Sequence, residues 1–508
     1  MKYFFILSIS LVLSFNLSGQ GHFCGTRDVD GSMMTRLEDN KIYSKKTKHL
    51  RDDLNWIYIP VQFHIVTLAD GTGGVDETKI LDELCTINKN YAPHKMKFYI
   101  AADFNIVKSA NVYNDPGSSI SEAKIKSVKS KTAVNIYIVN DIPSGSGAGQ
   151  TLGYYSPILD VVVIRKNQIG INAQTVSHEL GHFFSLAHPF YGWEGDPYDA
   201  AKHGNPVKIQ KIKWGNTEFE IELVNRSNCN TTADKICDTP ADYNFGLVDP
   251  EQDCKLNGPV LDFNLDTIKT MVNNYMSYFF NCGKYQFTPM QVAAMRADYN
   301  HSLRAYIRTG YIPDTSYIDQ STFTIITPEN NGVTPTFNDV TIDWEDMVGA
   351  KKYVFFIYPS SSPSSIKKYF VNESKINLTD LEKNKRYFWS VKPFNEGNTC
   401  AAKTSSSVSF KTGQFGVGIE EEMQNEEDFS VFPNPSSKED IFIYSKNAHS
   451  NAEIVIMNSL GQLMYKTKAD LINGINHINL NKSNFENGFY TLGIKFDNET
   501  YIRKILIQ

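Results

Sequence analysis

Apolar and polar residues change rhythm several times along the chain. Lys2 precedes an apolar run from Phe4-Phe5-Ile6-Leu7 through Leu11-Val12-Leu13, and Ser18-Gly19 follow it. A charged start, a short apolar core and a small-residue exit predict a secretory signal peptide over 1–19. The run falls short of the roughly 20 residues that a membrane span needs. Residues 20–51 are polar and basic, with Lys45-Lys46 and Lys48, and read as a propeptide or extended arm. From Tyr58 to Val66 the pattern alternates, which predicts a strand, and Ile80, Leu81, Leu84 and Ile87 predict a helix. Strand-like runs recur at 96–100, 134–139 and 160–164. Beyond residue 190 the chain reads as loop until a helix from 289 to about 308.

Around Ile312-Pro313 the texture changes. Residues 320–412 carry short strands such as 340–344, 353–357 and 387–391, with turn signals between them, which predicts a β-sandwich. An acidic stretch, Glu420-Glu421-Glu422 and Glu426-Glu427-Asp428, reads as linker. Residues 429–508 are again strand-rich. The expected fold class is therefore multidomain: an α/β (α+β) domain followed by two small all-β domains.

Composition narrows the function. With 508 residues, 41% apolar and 21% charged, the chain has material for several cores, and global disorder is excluded. A net charge of -6 gives no basic excess, so nucleic acid is not an expected partner. Elsewhere in the chain no segment is long and apolar enough to span a membrane. Four of the seven cysteines (Cys229, Cys237, Cys254 and Cys282) lie close together, and in an exported chain they read as two bridges. Sequence alone leaves all three pairings open. Cys24, Cys85 and Cys400 are isolated, and the odd total leaves at least one thiol unpaired.

The strongest chemical signal is Ser177-His178-Glu179-Leu180-Gly181-His182-Phe183-Phe184-Ser185-Leu186-Ala187-His188. On a helix, His178 and His182 stack one turn apart on one face, as two zinc ligands require. Glu179 can reach a metal-bound water and take its proton, and His188 follows as third ligand, leaving a fourth position open. Val176, Leu180, Phe183 and Phe184 give the helix a buried face. In thermolysin-like enzymes the third ligand is a glutamate on a later helix. Here Glu194 lies beyond Pro189 and Gly192 in loop-like sequence. His188 instead has the spacing of the metzincin pattern H-E-x-x-H-x-x-G-x-x-H, with Ser185 where that pattern has Gly. Ser there costs roughly 1 kcal/mol where φ is positive.

Asn274-Tyr275-Met276-Ser277-Tyr278 resembles the Met-turn, in which a methionine packs beneath the metal. Together with Ile59-Pro60-Val61, His64-Ile65-Val66, Leu152-Gly153-Tyr154, the 160–164 run, Cys237-Asp238-Thr239-Pro240 and Phe287-Thr288-Pro289, it makes residues 55–308 resemble the pappalysins and their bacterial secreted relatives. The resemblance implies a zinc endopeptidase over 52–312. It implies Tyr278 as helper for the oxyanion, and a strand near 152–157 that pairs with extended substrate. It also implies the bridges Cys229–Cys254 and Cys237–Cys282. Relatives often carry structural calcium in the cysteine region, where Asp234, Asp238 and Asp242 are candidates. Related proenzymes place a Cys-Gly ahead of the domain, so Cys24-Gly25 reads as a switch whose thiolate ligates the zinc. Gly25 lets the backbone pass close to the site, and release is expected by a cut near 48–51.

Trp344, Tyr353, Leu381, Tyr387, Trp389 and Asn395 resemble the core of a fibronectin type III domain, over 318–413. After the linker at 414–428, Val431-Phe432-Pro433-Asn434-Pro435-Ser436, Asn458-Ser459-Leu460-Gly461-Gln462, Gly488-Phe489-Tyr490 and Lys504-Ile505-Leu506 resemble the C-terminal sorting domain of type IX secretion. That implies export across the outer membrane, by the type IX machinery, to the medium or the cell surface. The reading is a secreted zinc metalloendopeptidase made as a zymogen, which cleaves extracellular proteins. The alternative is a catalytically impaired metzincin acting as a surface binding protein. Ser185 favours it and Glu179 opposes it.

Overall fold

The computed structural model describes residues 22–26, 31–46, 55–144, 150–248, 254–404, 408–414, 429–436, 440–480, 485–496 and 499–507. The expected signal peptide lies outside them, as does the linker apart from residue 414. They form two compact units divided after Asp314. No helix among the described residues is long and apolar enough to cross a membrane.

The first unit is built on a seven-stranded sheet. Its order is His22–Cys24, Gln150–Ser156, Val161–Arg165, Val134–Val139, Ile57–Thr67 and Met96–Ile100, with Asn105–Lys108 also pairing along Ile57–Thr67. Every pair is parallel except Gln150–Ser156 with Val161–Arg165. Ile57–Thr67 reads as alternating, yet from Ile59 onward it is buried on both faces, as a covered parallel sheet demands. Its polar members are satisfied: both ring nitrogens of His64 contact amides, of Asn135 and Asn105, at 2.9 Å, and its ring stacks on Tyr137. Helix Glu77–Tyr91 starts at Asp76, whose carboxylate accepts from the Thr78 N–H, and buries Ile80, Leu84, Ile87 and Tyr91 against the sheet core. The late helix ends at Asn300, and the rest of its expected length is the 3₁₀ turn Ser302–Ile307.

The stretch expected as an arm contains a helix, Ser32–Lys46. Met33, Met34 and Leu37 join the same core as the sheet. Arg36 and Asn40, from the same helix, reach the fully buried Asp298. The Arg36 Nε lies 2.8 Å from Asp298 Oδ1, and the Asn40 amide donates to that oxygen at 2.8 Å. Arg304 donates to Asp298 Oδ2 from the other side at 3.0 Å. Polar residues at these inward positions hid the helix from a hydrophobic count.

After the helix Thr175–Phe183 the chain to Thr288 is mostly loop, broken by the hairpin Lys211–Trp214 with Thr217–Glu220 and the short helices Ala200–His203 and Phe245–Val248. The disulfides there are Cys229–Cys237 and Cys254–Cys282, not the implied Cys229–Cys254 and Cys237–Cys282. Tight turns between 226 and 239 bring Cys229 and Cys237 to a Cα separation of 5.1 Å, and Cys254 and Cys282 lie 4.8 Å apart. Both separations are within the reach of a bridge. An aromatic cluster that includes Phe190, Trp193, Tyr243, Phe245 and Phe279 supplies the core of this half.

The second unit is all β. A three-stranded and a five-stranded sheet enclose Trp344, Phe355 and Trp389. Beyond Phe429, a three-stranded and a four-stranded sheet enclose Ile443, Ile456, Leu492 and Ile505.

Candidate metal centre

Helix Thr175–Phe183 is buried from Val176 to Phe183. His178 and His182 project from one face of it, with their Nε2 atoms 3.2 Å apart. The chain then turns sharply at Ser185, which is buried with φ +70°. This is the left-handed geometry for which the motif uses glycine. The turn is closed by Leu186 N–H donating to the Gly181 carbonyl at 3.0 Å, and the Ser185 hydroxyl accepts from the Asn40 amide at 2.9 Å. His188 then arrives with its Nε2 3.1 Å from that of His182 and 3.3 Å from that of His178. Its ring stacks on Phe190.

These residues fit a zinc ion. The Nδ1 atoms of His178 and His182 donate to the carbonyls of Tyr275 and Leu186, at 2.6 and 2.7 Å, so each Nε2 carries a free lone pair. Burial pushes His178 and His188 down to about 3, and His182 well below its ordinary value, so the rings are neutral. Three lone pairs meeting at one point repel unless a cation lies between them. Their mutual spacing is that of nitrogens about 2.0–2.1 Å from a tetrahedral zinc. The Cys24 Sγ completes a four-atom group whose members all lie within 4.8 Å of one another.

Around this point stand the other expected residues. Glu179 is fully buried, and burial pushes its carboxyl up to about 8. The Cys24 thiol donates to its Oε2 at 3.3 Å. The Tyr278 hydroxyl accepts from the Cys24 N–H at 3.2 Å, and its ring lies 5.0 Å from that of His188. Met276 is fully buried beneath the helix, so near Gly181 that a Cβ there would sit 2.3 Å from its sulfur. Cys24 is the free cysteine among the described residues. Its strand, His22–Cys24, lies parallel along the Gln150–Ser156 edge, and the Gly25 N–H donates to the Gly153 carbonyl at 2.8 Å. A cleft of about 580 Å³ opens beside it, lined by Leu152, Asn172, Gln174, Tyr275, Phe279 and Tyr285 among others.

The three aspartates considered for calcium have separate partners. Asp238 accepts from Thr288 Oγ1 and Met290 N–H, capping helix Pro289–Asn300. Asp234 takes Thr239 and the Ile236 N–H, and Asp242 takes Ser277. Three carboxylates escaped the sequence reading. Glu194 was weighed only as a metal ligand; its Oε1 lies 3.3 Å from His188 Nδ1, the nitrogen facing away from the centre. Glu222 is buried with both oxygens unpartnered, and burial, then the nearby Asp234 charge, push it up to about 9. Glu83, buried on helix Glu77–Tyr91, accepts the Gly170 N–H at 2.9 Å beside the cleft loop. Thr26, buried next to Glu179, was missed because a lone threonine carries no pattern. Glu194 had a signal, its short distance in sequence from His188.

The site brings three histidines and a buried carboxylate to one point, and comparison with known proteins bears on what they do. Residues 430–508 match the family model described as "Secretion system C-terminal sorting domain". The chain therefore ends in such a domain, which engages the type IX secretion machinery and marks the protein for secretion or surface attachment. An extracellular metalloprotease of Colletotrichum graminicola is 23% identical over 268 residues, which is 48% of this chain and 76% of that protein. One from Verticillium alfalfae is 22% identical over 295 residues, 54% of this chain and 87% of that protein. A promirolysin mutant of Tannerella forsythia aligns in structure at 16% identity and TM-score 0.35, over 56% of this chain and 96% of its own. A human collagen alpha-1(XX) fn3 domain aligns at 18% identity and TM-score 0.15, over 21% of this chain and 90% of its own. The sequence likenesses support a metalloprotease.

Proposed function

We propose that the chain is a secreted zinc metalloendopeptidase, held latent by its own N-terminal segment. The observation that carries this is the meeting of three neutral imidazole nitrogens, 3.1–3.3 Å apart, beside a buried carboxylate. His178, His182 and His188 hold the zinc, which when bound supplies a Lewis acid and brings the pKa of water bound to it to about 7. Glu179 takes the proton of the attacking water and returns it to the leaving amine. The Tyr278 hydroxyl donates to the oxygen that gains charge. The Gln150–Ser156 edge orients an extended peptide through its backbone. Glu179 is the one carboxylate among the described residues lining the cleft, so a substrate side chain seated there is uncharged rather than basic. Cys24 is the latch, with its thiolate as fourth ligand. Structural calcium is placed in the cysteine-stapled half, where Glu222 and the Asn244 side-chain Oδ1 are buried and unpartnered.

Glu179→Ala tests the reading. The three ligands remain, so zinc content by plasma emission stays at one per chain, while casein cleavage by the activated enzyme falls about 100-fold or more. Unchanged cleavage removes Glu179 from the mechanism.

A further inference from the structure

The N-terminal segment touches the site through a second residue that has no metal chemistry. Thr26 is buried two residues beyond Cys24. Its hydroxyl donates to Glu179 Oε2 at 3.0 Å and accepts from the Tyr155 N–H at 2.8 Å. The Thr26 N–H in turn donates to the Cys24 sulfur at 3.2 Å. Residues 24–26 thus form a hook around Gly25. A Cβ on Gly25 would lie 2.8 Å from Thr151 Cγ2, so the hook fits this edge only with glycine at its bend.

We infer that the Tyr155 N–H and Glu179 Oε2 form a hydroxyl-binding subsite, filled in the latent chain by Thr26 as a second hold on the cleft that is independent of the thiol. The seat needs one atom that accepts from an amide and donates to a carboxylate. A hydroxyl does both, a carbonyl oxygen only the first, and a methyl neither. Its ligand class is therefore a serine or threonine side chain presented by an extended segment. With Thr26 absent, a buried amide and a buried carboxylate oxygen each lose a partner. The consequence for cleavage rests on the proposed role of Glu179 as base; the subsite itself does not.

Hydrogen–deuterium exchange of the full-length chain, followed by mass spectrometry over residues 22–26 and 150–156, reads the subsite without reference to activity. Cys24→Ala removes the thiol in every variant compared. With Thr26→Ser added, exchange matches Cys24→Ala alone. With Thr26→Val added, both segments exchange about tenfold faster, the size of one lost buried hydrogen bond. Equal exchange in the Ser and Val variants overturns the proposal, as does a Cys24→Ala chain whose segment is already fully released. Casein cleavage is measured on the same samples, and the Val variant is expected to be faster than the Ser variant. Absence of cleavage once the N-terminal segment has been cut away near 48–51, with the exchange difference in the uncut chains intact, removes the protease reading and leaves the subsite standing.

Discussion

The two halves of the first unit meet at the three histidines but are held together by different means. The half before Ser185 is a covered parallel sheet, whose ladders and packed helices fix each residue through many neighbours. The half after it has two short bridges, capped turns and a cluster of aromatic rings. Two of the proposed ligands and the buried carboxylate come from the first half; His188, Tyr278 and Met276 come from the second. The rigid half sets where the chemistry occurs. The stapled half sets whether the remaining groups reach it.

That contrast can be broken on either side. The largest effect is expected from Asp298→Ala, on the late helix that packs back on the sheet core, because it strips buried Arg36 and Arg304 of a shared partner. Loss of one partner of a buried ion pair costs about 3–5 kcal/mol, read as a lower calorimetric transition. In the stapled half, Cys254→Ser with Cys282→Ser opens a loop of separation 28, and Cys229→Ser with Cys237→Ser one of separation 8. Loop entropy gives costs of about 3.5 and about 2.5 kcal/mol respectively. Non-reducing peptide mapping checks the pairing itself. Smaller again is Glu194→Gln, which loosens the hold on His188 Nδ1 and lowers zinc affinity by about 10–100-fold in competition with a chelator. A change of opposite sign sharpens the contrast by stabilising. The Glu222 carboxyl is raised from its ordinary 4.5 to about 9, so its contribution is fully present below pH 4.5 and is lost as pH rises toward 9. In a chelator, Glu222→Gln is expected to melt several degrees higher than the parent at pH 8 and at the same temperature near pH 4. Added calcium is expected to reverse the order at pH 8.

The same division governs what the sequence made legible. Period and spacing announce a helix with two histidines a turn apart, and a third six residues later, because those relations are local. The apolar strands at 134–139 and 160–164 are legible for the same reason. The pairing of Cys229 with Cys237 was not legible, since four cysteines allow three pairings and the turns that choose among them contain no periodic signal. The helix Ser32–Lys46 was hidden because two of its inward residues, Arg36 and Asn40, are polar and find their partners 145 to 262 residues away. Thr26 was hidden for a related reason: its role exists only once Tyr155 and Glu179 have been brought together by the sheet and the helix.

Gly181 and Met276 constrain how this sequence can change over time. A methyl at residue 181 would fall 2.3 Å from the methionine sulfur, while a smaller residue at 276 alone would leave a void under the histidine helix. The two positions are therefore epistatic. An alanine at 181 requires the Met276 thioether to move or be trimmed, and a trimmed intermediate must carry the cost of its cavity until the second change arrives. A mutational library of single substitutions will report both positions as intolerant. A library of pairs will find a route between them.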